Sequence, residues 1–123
     1  MLKLNRRQIQ AMDTLAFDRF VARMVRHIQV FFPERYLHDD DRAMQAMVRG
    51  VVKKARRYGI NGKDDVCRFL NLCMLLGADF DENPQHVWVQ EILSNPFYQA
   101  GSTRMAMLDD AAQRVLGSSE QLP

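Results

Sequence analysis

An all-α bundle of five or six helices packed around a buried third helix is the fold this sequence predicts, and three observations predict it. Apolar residues recur at spacings of three and four through most of the chain. Glycine, proline and Asx residues punctuate those stretches where helices would start and stop. No segment alternates with period two long enough to make a convincing strand. With 123 residues, 47% hydrophobic and 26% charged, the chain is sized for one globular domain, expected over residues 1–117. Residues 118–123 read as a frayed polar tail.

The first helix opens at Asn5, an N-cap residue with Gln8 at the reciprocal capping-box position, and Leu4 with Ile9 can form a hydrophobic staple. Ile9, Met12, Ala16, Phe20, Met24 and Ile28 then trace an apolar stripe, widened by Phe17, Val21 and Phe31, with Arg19, Arg23 and Arg26 outside it. Asp13-Thr14 could restart the helix, so one element or two is left open. Phe32-Pro33 stops it, because the residue before proline avoids the helical region.

The second helix is expected to begin within Asp39-Asp40-Asp41, whose carboxylates suit capping and the positive end of the helix dipole. Met44, Met47, Val48, Val51, Val52, Ala55 and Tyr58 form its apolar face. Lys53, Lys54, Arg56 and Arg57 load its last turns, where cations are favoured. Gly59 supplies the left-handed residue beyond the end, and Ile60 folds back as its apolar contact.

The third helix follows Asn61-Gly62, with Asp64 and Asp65 in its first turn. Val66, Phe69, Leu70, Leu72, Cys73, Leu75 and Leu76 wrap most of its circumference, which predicts the most buried helix, and Gly77 ends it. An acidic loop over residues 79–83 leads to Pro84 in a first turn capped by Asn83. Val87, Trp88, Ile92 and Leu93 are expected to face inward from the fourth helix, which Asn95-Pro96 ends. The last helix is expected after Gly101, capped by Ser102 or Thr103. Met105, Leu108, Ala112, Val115 and Leu116 face inward, and Gly117 closes it.

Several function classes find no support in the residues. The longest apolar run, residues 72–76, is far short of the ~18 needed for a membrane span, and residues 1–7 precede polar residues rather than a signal core. The expected location is the cytoplasm. Cys67 and Cys73, six apart on one helix, sit about 120° apart and about 9 Å along the axis, too far for a disulfide. His27, His38 and His86 lack a histidine or cysteine at helical ligand spacing, so no metal is expected. Asp79, Asp81 and Asn83 mimic the start of a calcium loop, but Pro84 stands at the turn glycine and Gln90 at the bidentate glutamate. No nucleophile elbow or P-loop occurs, and Gly101-Ser102-Thr103 lacks the spacing and lysine of one. The expectation is a non-enzymatic interaction protein without cofactors.

Its candidate partner-binding residues fall in three groups. Arg49, Lys53 and Arg56 share one side of the second helix with Arg42, and Arg57 lies near them. That face could grip phosphates or an acidic protein surface; a net charge of +2 does not by itself argue for nucleic acid, and the lack of interleaved aromatics argues against a stacking platform for single strands. Phe97 and Tyr98, in a loop, form either a lid over the core or an exposed anchor. Met105 and Met107, with Met44 and Met47, could line an adaptable groove or fill the core.

The order of signals carries a resemblance. Phe32-Pro33 is followed by Ala55-Arg56-Arg57-Tyr58-Gly59-Ile60, by Asp65-Val66-Cys67-Arg68-Phe69-Leu70 and by Gly77-Ala78-Asp79-Phe80-Asp81. Trp88 near Ile92-Leu93 and a closing helix around Arg104-Met105-Leu108 complete it. This pattern resembles small all-helical accessory proteins encoded beside type VI secretion effector, adaptor and spike genes of Gram-negative bacteria, over nearly the whole chain. The resemblance implies an accessory factor or co-chaperone that helps an adaptor or chaperone load an effector onto the spike, and a protein partner drawn from that set. Its matching residues imply structural jobs: Gly59 ends a helix, Tyr58 and Trp88 fill the core, and Asp79 with Asp81 organises a turn. Alternatives are an immunity protein neutralising a cognate toxin and a helical DNA-binding regulator. Unused methionine faces would allow a homodimer.

Overall fold

Asn5 begins the first helix as its spacing to Gln8 predicts. The Asn5 side chain accepts from the Gln8 amide at 2.8 Å, and the Gln8 side chain accepts from the Asn5 amide at 2.9 Å. A computed structural model of the chain describes residues 5–36 and 40–117, without the side chains of residues 9–12 and 36. The staple expected of Leu4 and Ile9, His38, Asp39 and the tail over residues 118–123 lie outside the described residues. The architecture is all-α, with no strand among the described residues. Two compact units divide it, Met1–Val48 and Arg49–Pro123.

In the first unit, α1 (Arg6–Phe31) is one uninterrupted helix of 26 residues, so Asp13-Thr14 does not restart it. Phe20, Val21, Val25 and Ile28 are its buried residues. The helix ends at Phe32, whose amide reaches the Ile28 carbonyl at 2.8 Å, and Pro33 opens an unexpected single turn, α2 (Pro33–Tyr36). Proline is at home there because a first-turn residue has no amide partner to lose. The aspartate expected to start the next helix is Asp40, which accepts from the Ala43 amide at 2.8 Å. It caps α3 (Asp41–Arg57), the most sharply amphipathic helix, which runs from the first unit into the second.

The second unit starts on the last turns of α3. There Gly59, with φ of 78°, closes a Schellman motif: Ile60 donates to Ala55 at 2.9 Å and Gly59 to Arg56 at 2.9 Å. Ala55 and Ile60 are fully buried, which is the apolar contact that motif calls for. Next comes α4 (Lys63–Leu76), whose buried residues Val66, Phe69, Leu70, Asn71, Leu72, Cys73 and Met74 make it the most enclosed helix. It packs on α6, and Phe69 meets Phe80 from the following loop with ring centres 5.1 Å apart. Cys67 and Cys73 are free thiols.

A 3-10 turn (Pro84–His86), capped by Asn83 onto the Gln85 amide at 2.9 Å, leads into α5 (Val87–Leu93). The inner face of α5 is Val89 and Leu93, not Val87, which is exposed, or Trp88, which is half-buried. Leu93 faces inward as expected, Ile92 is half-buried, and the α-helical register begins only after the 3-10 turn. The last helix, α6 (Gly101–Leu116), packs on α4 and α5 through Met105, Leu108, Ala111 and Ala112. Gly101 is itself helical behind Ala100, and neither Ser102 nor Thr103 caps it. Val115 is exposed and Leu116 half-buried, so the inward stripe ends a turn earlier than expected.

Candidate functional site

The residues that the second unit presents and withholds sort by the loops that hold them. After α5, Ser94 caps the helix, its amide and hydroxyl both reaching the Gln90 carbonyl at 2.9 and 2.6 Å. Asn95-Pro96-Phe97-Tyr98 then forms a turn for which asparagine first and proline second are the favoured residues. The Asn95 side chain accepts from the Phe97 amide at 2.9 Å, and its carbonyl accepts from the Tyr98 amide at 3.1 Å. Arg104 on α6 fixes the far side, donating from Nε to the Tyr98 carbonyl at 2.6 Å and from Nη1 to the Tyr58 carbonyl at 2.7 Å. Such charge-assisted bonds are about twice as strong as neutral ones. The backbone of this turn is therefore tied at both ends, while the Phe97 ring is 90% exposed.

The clamp depends on a close approach. A Cβ on Gly101 would lie 1.8 Å from the Gly59 carbonyl oxygen, so only glycine lets the start of α6 reach the end of α3. The four basic candidates at that end of α3 divide by depth: Lys53, Arg56 and Arg57 are exposed and Arg49 is half-buried. Tyr98 and Met107 are half-buried. Met105 is fully buried, which corrects its place among partner-binding candidates, because its side chain fills the core beside α4 and α5. The Phe97 ring is exposed, so it does not form a lid over the core.

The loop after α4 does the opposite with its polar groups. Asp81 is only 1% exposed, and its carboxylate accepts from Lys54 Nζ at 3.0 Å and from the Tyr58 hydroxyl at 2.6 Å. Lys54 also donates to the Ala78 carbonyl at 3.1 Å and lies 3.6 Å from Asp79. The Gln90 side chain donates to the Asp81 carbonyl, joining α5 to the loop. Burial, then the hydrogen bond to Asp81, pushes the Tyr58 hydroxyl up to about 12. For Lys54 burial pulls the ammonium down, but the Asp81 hydrogen bond and charge outweigh it and the pKa is raised. Both groups are therefore held protonated well above neutral pH. They serve as donors to a carboxylate and are not poised as bases.

The sequence suggests only a cation in the last turns of the helix for Lys54 and a capping loop for Asp81, and it does not join them in this cluster. The signal was present: Lys54 and Tyr58, four apart, share one side of α3 next to buried Val51 and Ala55. With the Asp81 carboxylate turned inward, the calcium-like run 79–83 has lost a ligand. Among the described residues no group of three His, Cys, Asp or Glu side chains could hold a metal. His27 lies against Phe31 with ring centres 4.7 Å apart, and His86 against Trp88 at 6.3 Å. Burial pushes Cys73 up to about 12 and raises Cys67, so neither thiol is activated. In the first unit an open cavity of about 210 Å³ is lined by Ala22, Val25, Arg26, Gln29, Asp41 and Gln45. No described helix is long and apolar enough to cross a membrane. The chain matches no protein-family model, no curated protein and no solved structure.

Proposed function

We propose that this chain is a non-enzymatic interaction protein whose anchor is Phe97, and that its partner belongs to the loading machinery of a type VI secretion effector. One observation supports the binding role above the others: a phenylalanine 90% exposed on a turn whose backbone is hydrogen-bonded at both ends. A soluble surface has little reason to hold a large apolar ring out rigidly. An anchor gains from it, because the turn is ordered before binding and little entropy is lost on docking. Burying such a ring in a pocket is worth roughly 1.5–3 kcal/mol. The type VI assignment rests on the sequence resemblance, and the role it implies is that of accessory factor or co-chaperone working from the cytoplasm.

The test is pairwise co-purification with type VI effector, adaptor and spike proteins of the same organism, using the wild-type chain and Phe97→Ser. Binding to the adaptor or chaperone, weakened about tenfold by Phe97→Ser, is the expected result. Tight binding to the toxic domain with loss of its toxicity would replace the loading role by immunity. Equal binding by the two forms would remove Phe97 as the anchor.

A further inference from the structure

Building on the interaction reading above, we propose that the Phe97 turn and the end of α3 form one docking surface, and that its occupant is an acidic protein surface with an apolar pocket. The pocket takes the Phe97 ring while carboxylates around it face Lys53, Arg56 and Arg57.

The two parts are held together by backbone. One Arg104 guanidinium donates to the carbonyl of Tyr58, next to Arg57, and to the carbonyl of Tyr98, next to Phe97. Gly101 lies directly on Gly59, leaving no space for even a methyl group between them. The aromatic anchor and the basic helix end are therefore a fixed pair, not two patches joined by a mobile loop.

Cations dominate the α3 side of this surface, with exposed Asp79 lying 3.6 Å from Lys54 at its edge. Residues 49–63 carry six cations, Arg49, Lys53, Lys54, Arg56, Arg57 and Lys63, of which Lys54 is spent inward on Asp81, and no carboxylate, in a chain whose net charge is only +2. Residues 94–108, which hold the anchor and its clamp, also contain no carboxylate. Asp81 is spent inward on Lys54 and Tyr58. Arg49, Lys53, Arg56 and Arg57 fall within a sector of about 100° on α3 at roughly 100° per residue. Clustered cations next to an exposed anchor favour a partner of opposite sign, which also speeds encounter.

A protein fits this surface better than a nucleic acid. A phosphate backbone satisfies the cations but offers no pocket for a protruding phenyl ring. Stacking on single-stranded bases uses aromatics interleaved with the charges. Here the exposed basic stripe has none, because the Tyr58 hydroxyl is turned inward to Asp81.

The experiment is selection from a random-peptide phage library on the full-length chain. Enriched peptides are then synthesised and titrated against wild type, Phe97→Ser, Lys53→Glu and Arg57→Glu, with oligothymidine as a nucleic-acid probe and thermal melts to confirm folding. The expected peptides pair Asp or Glu with apolar residues. They lose about tenfold or more in affinity on Phe97→Ser. They also weaken with each charge reversal and with added salt. Peptides that need Phe97 but are neutral or basic would overturn the acidic partner and leave the anchor standing. No enrichment over an unrelated bait, or binding indifferent to Phe97, would overturn both. Oligothymidine binding tighter than any peptide, and lost in both Phe97→Ser and Arg57→Glu, would reassign the surface to nucleic acid.

Discussion

In the loop that follows α4 a carboxylate points inward, and in the loop that follows α5 a phenyl ring points out. Each reverses the usual placement of its side chain, and each is held by hydrogen bonds to α3 or α6. The first inversion is compensated within the fold, since Lys54 and Tyr58 satisfy the Asp81 carboxylate. The second is not, since the Phe97 ring contributes almost no buried surface. A buried charge with its partners present reads as structure. An exposed ring on an ordered turn brings no such structural gain, and the proposed docking role would give it a use. Substitutions in the two loops should therefore part company, one acting on stability and the other on binding.

Asp81→Ala should have the largest effect. It leaves the Lys54 ammonium and Tyr58 hydroxyl without their acceptor in a largely enclosed site, at a cost of about 3 kcal/mol. Urea denaturation measures it, and a loss below ~1 kcal/mol would mean water substitutes for the carboxylate at little cost. Gly101→Ala comes next at about 2 kcal/mol, because its methyl group meets the Gly59 carbonyl and must push α6 away from α3. The melting temperature reads this directly. Gly50→Ala on the open side of α3, with nothing within 4 Å of the added methyl, should instead stabilise by about 0.5–1 kcal/mol.

Tyr58→Phe removes only one hydrogen bond to Asp81, costing about 1 kcal/mol at neutral pH. Its sharper signature is alkaline. The folded-state pKa values of Tyr58 and Lys54 are raised above their ordinary 10.0 and 10.5. Their contribution to stability is complete below pH 10 and is lost as pH rises through the folded-state values, about 12 for Tyr58. Cys73, pushed up from 9.0 to about 12, adds to the same loss from pH 9 onward. Melting temperatures between pH 8 and 11 should fall for wild type and fall less for Tyr58→Phe. Parallel curves would show that the phenol carries none of the alkaline sensitivity.

Helix boundaries were legible because they are set by neighbours in sequence. Asn5 with Gln8, the Gly59-Ile60 reversal and Asn83-Pro84 all act within a few residues, and the all-α class follows from them. The register of α5 was half legible: Leu93 faces inward as expected, but after the 3-10 turn its inward companion is Val89, not Val87 or Trp88. Helical spacing sets Lys54, not Lys53, beside buried Val51 and Ala55, but the Asp81 cluster joins residues 23 and 27 positions apart, and no local pattern reports that Asp81 meets them. The candidate site was half legible. Phe97 and the α3 cations stand out by type, but their union depends on Arg104 and on Gly101 meeting Gly59, contacts that periodicity does not register.

Phe97→Ser should be the smallest perturbation of the fold and so the cleanest test of the contrast. At 90% exposure the ring has little burial to lose, and the turn is held by the Asn95 side chain, the Asn95 carbonyl and Arg104, none of which the substitution touches. The expected change in unfolding free energy is within about 0.5 kcal/mol, ordinary for a surface position. A loss of 1 kcal/mol or more would mean that the ring packs on the protein in solution, as a lid rather than an anchor. Stability unchanged while binding falls about tenfold would place the whole effect of Phe97 on the partner.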